Sequence, residues 1–279
     1  MTGVQTCALP ILRVGIIGCG TIGSRIAAHI DGKLKGRAKV TALSDVDDKK
    51  ARGLSAGLKA RPRVASIPGL ISSVDLVIEA ASAKISGDIA RRSVSAGRDV
   101  MVMSTGGLLK DYKALFKLAE KKKSRVYLPS GAICGLDGLK GAKLSKIKKV
   151  TLTTRKPPEG FRGAPYVVQH NIDLGKIKAE KVLFEGDAFK AMEGFPANIN
   201  VAATLSLCGI GPKKTKVKII ASPSIKRNIH EVEIEGAFGK LIARTENVPS
   251  PGNPKTSYMA ILSAMATLDG ILERVKIGT

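Results

Sequence analysis

Arg-Val-Gly-Ile-Ile-Gly-Cys-Gly-Thr-Ile-Gly-Ser, residues 13–24, sets a short apolar run directly ahead of Gly18, Gly20 and Gly23. Val14, Ile16 and Ile17 have strand character, and Ile26, Ala27 and Ile30 then recur at helical spacing. Strand, glycine turn and helix form the context in which Gly-x-Gly-x-x-Gly signifies dinucleotide binding. The first glycine lets the strand turn sharply, the second admits a pyrophosphate to the backbone, and the third allows helix and strand to pack closely. The helix N-terminus adds a partial positive charge. Gly18, Gly20, Thr21, Ile22 and Gly23 are therefore expected to hold the cofactor.

The next strand is expected over Lys39 to Ser44, ending at Asp45. A carboxylate there accepts hydrogen bonds from ribose hydroxyls and repels a 2′-phosphate, which favours NAD over NADP. Asp45 also stands where it can cap a polar helix. Lys49, Lys50 and Arg52 follow closely and keep NADP open as a second cofactor.

Further along, strands are expected at Val64–Ile67, Asp75–Ala80, Asp99–Met103 and Arg125–Leu128, with helices opening at Ala81-Ser82 and near Tyr112–Lys122. This alternation predicts α/β architecture: a Rossmann-type, doubly wound parallel sheet over residues 12–130. Ligands bind such sheets at the carboxyl ends of the strands. Three small-residue loops, Glu79–Ser82, Ser104–Gly107 and Pro129–Ala132, fall at those ends, adding Ala81 and Ser82 to the cofactor set. After Gly131 strands dominate, at Lys149–Thr154, Val182–Glu185, Val217–Ala221, Glu231–Glu235 and Leu241–Glu246. Residues 131–250 are thus expected to be an α+β substrate domain with a mostly antiparallel sheet. Pro249–Pro254 reads as a stiff connector. From Thr256, apolar residues at three- and four-residue steps through Val275 predict an amphipathic helix of about five turns. Residues 251–279 are expected to return to the first domain. Residues 1–11 have no periodicity and read as a non-native or disordered leader.

The chain has 279 residues, of which 44% are hydrophobic. No apolar run approaches the ~20 residues needed to span a bilayer. With no charged-then-apolar signal segment ahead of the first strand, a cytoplasmic location is expected. Cys7, Cys19, Cys134 and Cys208 form no Cys-x-x-Cys pair, so neither a metal site nor a redox dithiol is expected. Lys and Arg exceed Asp and Glu by 46 to 23. The excess is spread along the whole chain, and aromatics make up only 4%, with no Trp. Both features argue against a specific nucleic-acid partner; an anionic small molecule or a lysine-rich, thermophilic proteome explains the excess more economically. Lys140, Lys143 and Lys146 repeat every third residue, as a solvated helix face would. No Gly-x-Ser-x-Gly, His-Glu-x-x-His or phosphate-binding Walker pattern supports hydrolase or phosphotransferase chemistry.

Of the three histidines, His230 has the strongest position, just ahead of an alternating strand that turns Glu231 to the opposite face. Histidine is the natural proton carrier near neutral pH. His29 reads as structural and His170 as exposed. Asn198 and Asn200 precede a helix, where they serve either as caps or as amide contacts to cofactor or substrate.

Taken together, Gly18–Gly23, Glu79–Ser82, Ser104–Gly106, Pro129–Asp137, Lys156–Pro158, Phe184–Gly186, Phe195–Ala202, Asn228–Glu231 and Asn247–Ser257 resemble the L-aspartate dehydrogenase family. The resemblance runs from Leu12 onward. It implies a fold similar to homoserine dehydrogenase and dihydrodipicolinate reductase, with NAD or NADP as cofactor. It also implies oxidative deamination of L-aspartate through iminosuccinate to oxaloacetate and ammonia, or supply of the imine to NAD biosynthesis. The family's catalytic histidine falls on His230. Its cofactor contacts fall on Ala132 and on Asn198 or Asn200. Cys134-Gly135 stands where the family has Gly-Gly. A substrate with two carboxylates needs cationic or amide donors, for which Lys156, Lys255, Arg227 and Asn198 are candidates. The competing reading is a reductase of the homoserine dehydrogenase or dihydrodipicolinate reductase type. A homodimer is the expected assembly.

Overall fold

The computed structural model describes residues 10–196, 199–251 and 253–278, apart from the side chains of Pro254 and Lys255. Residues 1–9 of the expected leader and the candidate Asn198 lie outside the described residues.

The first sheet holds β1 (Leu12–Ile17), β2 (Ala38–Ser44), β3 (Arg63–Val64), β4 (Leu76–Glu79), β5 (Asp99–Val102) and β6 (Val126–Tyr127). Its order is β3-β2-β1-β4-β5-β6, parallel throughout. Between the strands run α1 (Thr21–Lys33), α2 (Asp48–Gly57), α3 (Ile67–Ser73), α4 (Ala83–Ser95) and α5 (Tyr112–Lys122). This is the doubly wound Rossmann arrangement. Val14, Ile16, Leu76 and Ile78 pack on one face with Ile26, Ala27 and Ile30 of α1. Ile17, Val77, Val100 and Val102 pack on the other with Ile89 and Val94 of α4. A sheet covered on both faces favours near-continuous apolar strands, which is why Val14–Ile17, Leu76–Ile78 and Val100–Val102 read as they do. Helix α3 is not expected from the sequence, where Val64–Ile67 reads as strand. Ser66 caps it through a hydrogen bond to the N–H of Gly69, and Pro68 sits in its first turn.

The second sheet joins β7 (Ile147–Lys156), β8 (Lys181–Asp187), β9 (Lys216–Ala221), β10 (Asn228–Gly236) and β11 (Gly239–Asn247) in the order β11-β10-β7-β9-β8. All neighbours are antiparallel except β7 and β9, so the sheet is mostly antiparallel. Helices α6 (Leu136–Ala142), α7 (Pro165–Gln169), α8 (Ala188–Gly194) and α9 (Ile199–Cys208) accompany it. Its core combines Val150, Leu152, Val232 and Ile234 from the strands with Phe161, Phe195, Ala203 and Leu205. The lysine triplet does not form one helix face: Lys140 is in α6, Lys143 caps it, and Lys146 follows the helix.

Pro249–Pro254 is not a plain connector. β12 (Pro249–Ser250) and β13 (Asn253–Ser257) pair antiparallel and lead into α10 (Tyr258–Leu272). Ala264 and Leu268 of α10 pack with α1, and His29 Nε2 lies 2.7 Å from Asp269 Oδ1. The helix is shorter than its apolar pattern suggests, since Glu273 leaves helical geometry. Among the described residues, no helix is long and apolar enough to cross a membrane.

Candidate active site

The glycine turn joins β1 to α1. Gly18 adopts φ +99°, and a Cβ there would lie 2.4 Å from the backbone oxygen of Ala80. At Gly23 a Cβ would lie 1.9 Å from the Gly18 oxygen, so strand and helix meet backbone to backbone. Gly20 differs, because a Cβ there meets nothing within 4 Å. Helix α1 begins with no side-chain cap and no acidic residue in its first turn. Its leading N–H groups and partial positive charge are thus left for an anion. These features fit a dinucleotide pyrophosphate. Thr21 opens α1, and its carbonyl accepts from Ser24 Oγ.

Two hollows flank this turn. One, of about 480 Å³, is lined by Gly18, Gly20, Asp45, Lys50, Ala81 and Ser82 among others. Asp45 Oδ2 accepts from the Cys19 N–H at 2.6 Å and Oδ1 from the Asp47 N–H at 2.9 Å. The cap of α2 is instead Asp47, which accepts from the Lys49 N–H. The Cys19 thiol is buried, and burial with the nearby Asp45 charge pushes it up to about 11, which makes it a poor nucleophile.

The other hollow, about 180 Å³, lies where the two domains meet. It is lined by Ile22, Ala132, Lys156, Asn200 and His230, five of the residues singled out from sequence, and by Thr256 and Ser257 at the start of α10. No Asp or Glu lines it among the described residues. Arg227 does not line it either. Asn198 lies outside the described residues, and so does the side chain of Lys255.

His230 is inside β10 rather than ahead of it, in register with Thr154 of β7. It shares the inward face with Val232 and Ile234, which is why a polar ring is only 6% exposed. Burial, reinforced by the Lys156 charge, drives the imidazole from 6.5 down to about 3. The ring is therefore neutral at physiological pH. Lys156 ends β7, and burial lowers its ammonium from 10.5 to about 8. Ala132 is held by two hydrogen bonds to its carbonyl, from Thr245 Oγ1 at 2.8 Å and Asn247 Nδ2 at 3.0 Å. Asn247 in turn accepts from Ser257 Oγ at 2.6 Å. The β11 end, the loop at Ala132 and the start of α10 are thereby locked around the cavity.

Sequence reasoning assigned no role to Thr154, Asn247, Asn228 or Glu79. Glu79 is fully buried, and its two oxygens accept from the N–H groups of Ala81 at 2.8 Å and Ser104 at 2.9 Å. It fixes two rim loops relative to each other. A carboxylate closing the apolar run Leu76–Ile78 is the available signal for that role. Nothing local marks Thr154, and Asn247 is marked only as the start of the Asn247–Ser257 segment. Among the described residues, no group of three or more His, Cys, Asp or Glu could hold a metal ion.

A family model for the aspartate dehydrogenase C-terminal domain matches residues 137–271, and one for the homoserine dehydrogenase NAD-binding domain matches residues 18–129. The L-aspartate dehydrogenase of Methanosarcina mazei is 51% identical over 273 residues, covering 96% of this chain and 100% of the relative. That of Nitrosopumilus maritimus is 40% identical over 272 residues, covering 96% and 99%. The crystal structure of aspartate dehydrogenase from Thermotoga maritima superposes with a TM-score of 0.75 at 28% identity, covering 96% of this chain and 100% of that one. With relatives this similar end to end, the chain belongs to the L-aspartate dehydrogenase family of nicotinamide-dependent enzymes.

Proposed function

We propose that this protein oxidises L-aspartate to iminosuccinate and hydrolyses the imine to oxaloacetate and ammonia, with NAD favoured over NADP. The observation that carries this reading is the cavity beside the glycine turn, where Lys156 and His230 are the ionisable groups among the described lining residues and no carboxylate is present. Such a cavity attracts a dianion and would repel a cationic substrate.

Gly18, Gly20, Thr21 and Gly23 would hold the pyrophosphate, Asp45 the adenosine ribose, and Ala132 and Asn200 the nicotinamide end. When bound, the nicotinamide ring accepts the hydride from the substrate Cα. The protein aligns the substrate for that transfer and moves its protons. Lys156 pairs with a substrate carboxylate. This pairing offsets the ammonium charge that helps depress His230, so the anionic substrate raises the proton affinity of the imidazole. His230 then takes a proton from the substrate ammonium, freeing the nitrogen lone pair that drives hydride loss. Once His230 has passed that proton to solvent, it takes one from the attacking water and returns it to the nitrogen as ammonia leaves. Iminosuccinate released before hydration would instead be available to NAD biosynthesis.

The test is aspartate-dependent reduction of NAD and NADP in parallel, with glutamate, alanine and homoserine as controls. Turnover with aspartate alone, faster with NAD, is expected. His230→Ala should keep NADH binding and lose turnover. Undiminished turnover in that variant removes His230 from the acid/base role.

A further inference from the structure

The antiparallel register sets Thr154 directly across from His230. Directly opposed residues on neighbouring strands share a face with their Cβ atoms about 5 Å apart. Thr154 Oγ1 lies 3.0 Å from His230 Nδ1, and the two residues are 3% and 6% exposed. Among the described residues, this hydroxyl is the side-chain hydrogen-bond partner of the ring. Along β7 the inward face reads Val150, Leu152, Thr154, Lys156. It is apolar over the core and becomes polar where it reaches the cavity.

We propose that Thr154 is a positioning residue that accepts a hydrogen bond from Nδ1–H of His230 throughout the reaction, so that Nε2 meets the substrate. The inference rests on the acid/base role of His230 given above. An imidazolium carries N–H on both nitrogens and can only donate. Thr154 must therefore accept while His230 holds the substrate proton. If it also accepts in the neutral state, Nδ1 keeps its proton and Nε2 carries the lone pair. Proton uptake and release then occur at Nε2 with no hydroxyl rotation and no exchange of protons between the ring nitrogens. The opposite tautomer would need both on every turnover.

A hydroxyl suits this site better than the carboxylate that orients the histidine of serine proteases. An Asp or Glu at position 154 would add negative charge beside a cavity built for a dianion. It would also compete with the substrate for Lys156. Thr154 sets the tautomer without altering the charge.

The experiment compares Thr154→Val, which keeps the shape and removes the acceptor, with Thr154→Ser, which keeps the hydroxyl. The expected loss in kcat for Thr154→Val is about 10- to 100-fold, in the range for other histidine-orienting partners. The KM for NAD should be unchanged, and Thr154→Ser should restore most of the rate. Nitrogen NMR of histidine-labelled wild-type enzyme at neutral pH should show His230 protonated at Nδ1 and bare at Nε2, with that preference lost in Thr154→Val. Wild-type kcat in Thr154→Val, or a wild-type spectrum with the proton on Nε2, overturns the proposal. Should Thr154→Val not fold, the wild-type spectrum still decides. His230→Ala separates the two levels: if it is inactive while Thr154→Val runs at full rate, only the role of Thr154 fails. If His230→Ala is active, the underlying mechanism fails.

Discussion

Asn200 Oδ1 accepts a hydrogen bond from the Gly106 N–H at 3.0 Å and ties α9 of the second domain to the turn after β5 in the first. Since a backbone N–H can only donate, this contact fixes which side-chain atom is the oxygen. The amide nitrogen is then the atom left for a ligand in the cavity that Asn200 lines. Thr105 and Thr204 reinforce the same junction, their hydroxyls 2.9 Å apart.

Asn200→Ala leaves the Gly106 N–H without its acceptor. Stability should fall by about 1–3 kcal/mol, measured by urea unfolding, with a higher KM for NAD. Asn200→Asp restores the acceptor and most of the stability. It also places a negative charge in the cavity, so its KM for aspartate should rise well above that of the wild type. An Asn200→Asp variant as unstable as Asn200→Ala would show that the interdomain hydrogen bond contributes little.

Gly20 and Gly23 should respond differently to the same added methyl group. Gly23→Ala forces a Cβ toward the Gly18 oxygen and should lower Tm. Gly20→Ala meets only open space, so Tm without cofactor should hold while NAD affinity drops. Equal losses of Tm in both variants would contradict this division.

Lys156→Met removes the cation expected to hold a substrate carboxylate. A hydrogen bond to a charged group is worth about 1.5–3 kcal/mol, so KM for aspartate should rise about 10- to 100-fold. The NAD KM should not change. Because the ammonium charge is one cause of the depressed imidazole, the His230 pKa should rise in this variant, which NMR titration can follow. An unchanged KM would place the carboxylates elsewhere.

The depressed imidazole also predicts how stability depends on pH. The unfolded chain protonates this histidine near 6.5, whereas the folded protein resists until about 3. Between these values the unfolded state binds more protons. The contribution is therefore full above pH 6.5 and is lost as pH falls toward 3. His230→Asn cannot take up the proton, so its Tm should decline less than wild type between pH 7 and 4. Parallel declines would mean that other groups dominate acid unfolding.

The proposed preference for NAD places the choice of cofactor on the charge of Asp45. Asp45→Asn relieves repulsion of a 2′-phosphate next to Lys50, which lines the same hollow. The ratio of kcat/KM for NAD over NADP should fall at least about tenfold, the effect of only about 1.4 kcal/mol. A preserved ratio would leave Asp45 with only its two backbone hydrogen bonds, to Cys19 and Asp47.

The sequence by itself determined the local order of this protein. Apolar runs with small-residue loops at their ends specified the parallel sheet, because strands buried on both faces are near-continuously apolar. The glycine spacing specified the turn at Gly18–Gly23, because backbone closeness there excludes side chains. It was less informative for α3, where Val64–Ile67 reads as strand but a Ser66 cap starts a helix, and for the β12–β13 hairpin, where Pro249–Pro254 reads as a connector but strand pairing prevails. Only the tertiary structure decided what surrounds His230. That histidine stands 76 positions from Thr154, and 115 positions separate Asn247 from Ala132. Such contacts follow from strand register and domain packing, which no short stretch encodes. The low pKa of His230 is likewise a property of burial and of the Lys156 charge brought in from another strand.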